Sequence, residues 1–123
     1  MRNKYHSIKT NGFDSRKEAR RYEELLLLQR AGQISDLKTQ VPYELIPAQY
    51  ETYERYGKNG NRLKDGMRLL ERACVYVADF VYIDDKGNTV VEDVKGYKDG
   101  AAYSIFTIKR KLMLLKGIKV TEI

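Results

Sequence analysis

The spacing of apolar and polar positions changes several times along the chain, and each change marks an element. "GFDSRKEARRYEELLLLQRAG" (12–32) has a helical period. Ser15 and Glu18 have the spacing of a capping box, and Gly32 follows as a stop. Projected at about 100° per residue, Tyr22, Leu25, Leu26 and Gln29 fall on one face. Glu18 falls there too, while Arg20, Arg21 and Glu24 point away. A carboxylate on an inward stripe needs a partner.

Beyond the helix, "ISDLKTQVPYELIP" (34–47) reads as extended, with Pro42 marking an edge strand or a bulge. "ETYERYGKNGNRLKDGMRLLER" (51–72) is polar, Gly-punctuated and weakly periodic. It reads as an irregular excursion between strands, or as a hairpin. "ACVYVADFVYI" (73–83) is β-branched and aromatic, and so a strand. "DDKGN" (84–88) is turn chemistry and "TVVEDVK" (89–95) the returning strand. "YSIFTIKRKLMLL" (103–115) places Ile105, Ile108, Leu112 and Leu115 at helical spacing. Gly117 stops that helix, and "IKVTEI" closes as a short strand. The expected order is αβββαβ, in one domain spanning 1–123 with a basic arm over 1–12.

"VVEDVKG" (90–96) sets two carboxylates and a lysine into an otherwise apolar strand. Each charge costs several kcal/mol to desolvate unless it is paired. If "DDKGN" is a five-residue loop, Ile83 pairs with Thr89, and the same register sets Asp79 opposite Asp93 with Cβ atoms about 5 Å apart. Strand alternation puts Asp93 and Lys95 on one face and Glu92 and Val94 on the other. Facing carboxylates repel unless a cation lies between them. A hard divalent ion such as Mg²⁺ takes one or two carboxylates, with phosphate oxygens and water completing its shell. Lys95 beside such an ion would orient a water or stabilise a pentacovalent phosphate. The pattern reads as a site for phosphodiester hydrolysis.

Charge sharpens this picture. The net charge is +6, and residues 95–119 hold seven Lys or Arg against the single acid Asp99, while residues 1–30 hold eight against four. Basic charge at both ends suits a polyanion, because each neutralised phosphate releases counterions. The lone Cys74 excludes an internal disulfide and fits a reducing, cytoplasmic compartment. The single His6 argues against zinc. "LLLL" (25–28) is far short of a membrane span, and the N-terminal stretch has no apolar core of the kind a secretory signal carries.

Glu18 on an N-terminal helix, Asp79 on a strand, Asp93-x-Lys95 on the next strand and a basic helix after it resemble the PD-(D/E)XK nuclease superfamily. The phrases "GFDSRKEARRYEELLLLQRAGQISDLKTQ", "ADFVY" and "VEDVKGY" look more narrowly like small phage-encoded endonucleases of the Holliday-junction-resolvase type. The resemblance spans nearly the whole chain except 51–72. It implies an α/β core with a central mixed sheet flanked by helices. It also implies Asp79 and Asp93 as metal ligands, Lys95 as the catalytic lysine and Glu18 as the acid completing a Mg²⁺ or Mn²⁺ site. Gln40 matches a glutamine found after the first helix in these phage proteins. Ala78 departs from the pattern, standing where the proline that names the motif would be.

The implied activity is metal-dependent DNA cleavage, on branched DNA in the resolvase version, by a homodimer in the cytoplasm of a host cell. No small-molecule cofactor or membrane is expected. Non-cleaving DNA binding on the same fold and a protein-interaction role are the alternatives. Glu18 is either the capping acid or a site acid. Lys109, Arg110 and Lys111 are either a solvated helix face or phosphate contacts, and Tyr97 with Lys98 would line a substrate groove. Glu92 reads as a surface charge or a substitute ligand. Cys74, Tyr76, Phe80 and Tyr82 read as core or sheet-covering residues, and His6 as incidental or part of a DNA-touching arm.

Overall fold

A computed structural model describes residues 15–96 and 98–123. The expected basic arm, His6 and Tyr97 lie outside the described residues. The elements run α1 (Arg16–Arg30), β1 (Ser35–Ile46), β2 (Gln49–Tyr56), β3 (Arg62–Glu71), β4 (Cys74–Ile83), β5 (Thr89–Asp93), α2 (Gly100–Leu115) and β6 (Val120–Glu122). They form a mixed α/β fold with a four-stranded sheet ordered β1-β4-β5-β6 and a separate β2-β3 pair. Set the β2-β3 pair aside, and the expected order αβββαβ remains. Contacts divide the chain into two compact units, residues 15–42 with 77–123, and residues 43–76.

Local chemistry accounts for the boundaries. Ser15 Oγ accepts from the Glu18 N–H at 3.1 Å, capping α1. Gly32 (φ 76°) ends it in a Schellman motif, with Gly32 N–H bonded to Gln29 O and Gln33 N–H to Leu28 O. Gly117 (φ 86°) ends α2 the same way, through Leu114 O and Met113 O. In the β4–β5 turn, Asp84 Oδ1 accepts from the N–H groups of Lys86 and Asn88 at 3.0 and 2.8 Å.

The β4–β5 register is the one the loop length implied: Ile83 pairs with Thr89 and Phe80 with Glu92, antiparallel. β6 then pairs parallel to β5, Val91 with Val120 and Asp93 with Glu122. The pairing runs past the strand ends, through Ile123 N–H to Asp93 O and Lys95 N–H to Ile123 O. β1 lies at the sheet edge, as Pro42 suggested, but its left-handed residues are Asp36 (φ 56°) and Gln40 (φ 51°).

α1 covers a core of Ala19, Leu25, Ile34, Phe80 and Tyr82, with Tyr22, Leu37, Val90 and Val94 packed against it. The Tyr22 and Phe80 rings stack at 6.1 Å, a contact worth about 0.5–1.5 kcal/mol beyond area burial. Gln29 Oε1 accepts from the Leu37 N–H, joining α1 to β1.

Three expectations are resolved or corrected. Of the two readings of 51–72 the hairpin holds, β2 pairing antiparallel with β3 from Gln49–Glu71 to Tyr56–Arg62, with register shifts between Gln49 and Tyr50 and between Tyr53 and Arg55. α2 buries Phe106 and Met113, two turns apart, and leaves Ile105, Ile108 and Leu115 exposed. Mean apolar spacing cannot tell which of two stripes faces the sheet, and the aromatic ring decided it. Arg21 does not point away, since its long stem lets the guanidinium reach Glu92 on β5.

Candidate active site

Five of the residues singled out from the sequence meet in the first unit. Glu18 comes from α1, Gln40 from β1, Asp79 from β4, Asp93 from the last position of β5 and Lys95 from just beyond it. Glu18 and Asp93 are each only 5% exposed.

Gln40 joins the two acids nearest it. Its Nε2 donates to Glu18 Oε1 at 2.8 Å and, at 3.4 Å, to Asp79 Oδ1. A non-glycine residue in the left-handed region costs about 1–2 kcal/mol. The irregularity re-aims a side chain that would otherwise follow strand alternation. Backbone and side chain of Glu18 have different partners. Its backbone N–H takes the Ser15 cap, and its carboxylate accepts from Gln40.

Asp79 Oδ2 accepts from the Val94 N–H at 2.8 Å, holding the carboxylate against the end of β5. Burial pushes the Asp79 carboxyl above its usual range and the Asp93 charge adds to this, while the Val94 N–H and the hydrogen bonds to Glu18 and Gln40 oppose it. Lys95 Nζ sits 2.9 Å from Asp93 Oδ1, and 3.6 Å from the centre of the Phe106 ring. Ion pair and ring face together fix the ammonium. Lys17 Nζ steadies the backbone there by donating to the carbonyls of Lys95 and Ile123 at 2.7 and 2.9 Å.

Glu92 lies elsewhere, and its reading as a surface charge or substitute ligand is corrected. It is 1% exposed. Arg21 grips it with Nε–Oε1 at 2.8 Å and Nη2–Oε2 at 2.6 Å, and the Tyr82 hydroxyl donates to Oε2 as well. Strand alternation turns Glu92 toward α1 and leaves Asp93 to Lys95. Arg21, Tyr82, Lys17 and Phe106 are the site-supporting residues that sequence reasoning missed. A buried acid one residue from Asp93 was the available signal, because it demands a cation from a neighbouring element.

Beside Lys95 opens a cleft of about 440 Å³ lined by Lys95, Gly96, Asp99, Ala102 and Tyr103. The candidate nucleic-acid contacts Lys109, Arg110 and Lys111 lie on α2, and Lys98 just before it. Lys98 and Lys111 are exposed and Lys109 is half-buried. Arg110 is turned to Glu122 at 3.4 Å and to the Phe106 ring at 5.9 Å. Lys111 and Arg110 also line a second cleft of about 350 Å³ with Leu114, Lys119 and Val120.

Among the described residues, no group of three or more His, Cys, Asp or Glu stands ready-made to chelate a cation. Asp93 is turned to Lys95, and the Gln40 amide occupies Glu18. The donor set still suits a hard ion, since Mg²⁺ needs only one or two carboxylates when substrate phosphate and water supply the rest. Among the described residues no helix is long and apolar enough to cross a membrane. The family model described as "Protein of unknown function (DUF1064)" matches residues 2–122. No curated protein and no solved structure matches the chain.

Proposed function

We propose that this chain, which belongs to the DUF1064 family, is a Mg²⁺- or Mn²⁺-dependent DNA endonuclease with a PD-(D/E)XK-type site. The observation that carries the reading is the convergence of Glu18, Gln40, Asp79, Asp93 and Lys95 from separate elements. Nothing in packing alone calls for two carboxylates to be placed together against their mutual repulsion. Asp79 and Asp93 would hold the metal with Glu18 beside them, and a bound ion would supply Lewis-acid polarisation of the scissile phosphate.

The chain's own groups do the rest. Gln40 orients Glu18 and Asp79. Asp93 and Phe106 hold the Lys95 ammonium at the cleft mouth, where it orients the attacking water and balances charge developing on the phosphate. Arg21, Tyr82 and Glu92 hold α1 to β5 and so keep Glu18 in reach of Gln40. A symmetric cut across a DNA junction requires two sites, hence a homodimer, in the resolvase version of the reading.

The test is nicking of supercoiled plasmid and of linear, flapped and four-way duplexes, with Mg²⁺, with Mn²⁺ and with chelator. Metal-dependent cleavage lost in Asp79→Asn and Asp93→Asn supports the reading. The second reading, DNA binding without cleavage, is favoured by the acids' present pairing with Gln40 and Lys95. It stands if DNA is bound in a salt-dependent way and never cut.

A further inference from the structure

The second unit carries chemistry that the site does not use. β2 and β3 pair antiparallel from Gln49–Glu71 to Tyr56–Arg62, and every β2 side chain is exposed. Two strands gain most from cross-strand side-chain pairs, and the ribbon carries several. The Tyr53 ring lies over Gly66, where a Cβ would collide with it. Arg68 stacks on Tyr53 at 4.9 Å and pairs with Glu51 at 3.0 Å. Arg62 stacks on Tyr56 at 5.8 Å and pairs with Asp65 at 2.7 Å and Glu54 at 3.9 Å.

Glu51, Glu54 and Asp65 are thus paired within the ribbon by two arginines, Arg62 and Arg68. The stretch 55–64, "RYGKNGNRLK", then holds four cations and no acid. Three of those cations, Arg55, Lys58 and Lys64, make no ion pair among the described residues. The turn that presents them is closed by Gly57 N–H to Asn61 O and Gly60 N–H to Gly57 O, with Gly60 at φ 75°.

We infer that the β2–β3 ribbon is a duplex-DNA-binding element that enters the major groove and sets Arg55, Lys58 and Lys64 against phosphates. The groove is about 12 Å wide and admits a two-stranded β-ribbon. Strands of this length extend about 27–34 Å at roughly 3.4 Å per residue, enough to follow one turn of the duplex. An unpaired basic tip matches a polyanion, the exposed tyrosines offer hydroxyl groups to phosphates and ring edges to thymine methyls in the groove, and a basic tip repels a basic protein surface. The inference rests on the nuclease reading only for the choice of DNA as the polyanion.

The test uses the full chain, chelator present, and fluorescence anisotropy on an A·T-rich duplex across a salt series. Neutralising three phosphate contacts in Arg55→Ala/Lys58→Ala/Lys64→Ala should cut the slope of log K against log salt by about 2.7. Binding near 0.15 M salt should weaken up to roughly 100-fold. The charge-conserving Arg55→Lys/Lys58→Arg/Lys64→Arg should keep the wild-type slope, which separates lost charge from a misfolded hairpin. Methyl green, occupying the major groove, should remove the ribbon-dependent part of binding, and netropsin in the minor groove should spare it. Equal slopes for wild type and the alanine variant, no wild-type binding to duplex, or displacement by netropsin alone would overturn the assignment. Ribbon-dependent binding by a protein that never cuts with metal would leave the inference standing and defeat the nuclease reading instead.

Discussion

Replacing Glu92 by glutamine separates the two acids of "VEDVK" most cleanly. Glu92 is 1% exposed and receives the Arg21 fork and the Tyr82 hydroxyl. Breaking one partner of a buried pair costs about 3–5 kcal/mol, because the other charge is left buried. Here the Arg21 side chain keeps 22% exposure and retains Glu24 at 3.0 Å, so part of that penalty is relieved. The amide also turns an NH₂ group toward donors. The expected cost is about 2–3 kcal/mol. At about 3–4 °C per kcal/mol for a chain of this size, the melting temperature should fall by about 6–12 °C. Circular dichroism melts measure that fall, and metal-dependent nicking at 20 °C, below the transition, measures the site. Most of the cleavage rate should survive in Glu92→Gln and vanish in Asp93→Asn. An unchanged melting temperature with lost cleavage would refute the reasoning, since it would put Glu92 in the site and Asp93 against α1.

Three further outcomes follow from the same geometry. Gln40→Gly relieves a left-handed backbone (φ 51°) while deleting the bonds to Glu18 and Asp79, so the backbone gain and the lost donor to a buried carboxylate offset, the melting temperature should change little, and cleavage should drop about 10–100-fold. Burial, and then the Asp93 charge, hold the Asp79 carboxyl above its ordinary value. The folded chain therefore favours the protonated form, a contribution present below the ordinary value and lost as pH rises. Asp79→Asn should accordingly be more stable than wild type at pH 7, with the gain vanishing near pH 3 in urea titrations. Burial, then the hydrogen bond to Glu92, raises the Tyr82 hydroxyl to about 12. The stability that this contributes is present below about pH 10, the ordinary tyrosine value, and is lost as pH climbs toward 12. A denaturation series over that window should show a larger loss in wild type than in Tyr82→Phe, whose other raised tyrosines, Tyr43, Tyr56 and Tyr103, still titrate.

Much of this was legible because local signals agreed with tertiary ones. Ser15, Gly32 and Gly117 set helix ends by capping chemistry that needs no distant partner. The five residues of "DDKGN" set a register that pairs Ile83 with Thr89 and runs to Phe80 opposite Glu92, next to Asp79 and Asp93 in the chain. What stayed hidden depends on reach and on packing choice. Arg21 looked solvent-facing from its helical angle, but its side chain is long enough to cross to Glu92. α2 offered two apolar stripes, and Phe106 was selected over Ile105 and Ile108 by the sheet beneath and by Lys95 above its ring. The β2–β3 hairpin showed little alternation, since a ribbon with both faces in water has no buried face to impose it. The left-handed turn at Gln40 has no sequence signature either, because glutamine does not favour that region.

The central claim is that the acids gathered around Gln40 and Lys95 act on a phosphodiester through a divalent ion. Its most direct measurement is the initial rate of supercoiled-plasmid nicking by purified wild type and Asp93→Asn across a Mg²⁺ and Mn²⁺ titration. DNA binding and melting temperature are measured on the same samples. The account predicts a saturable, metal-dependent rate in wild type, lost by at least about 100-fold in Asp93→Asn, with fold and DNA binding retained. Equal rates in the two proteins, or no cleavage by wild type at any metal concentration while it binds DNA, would contradict it.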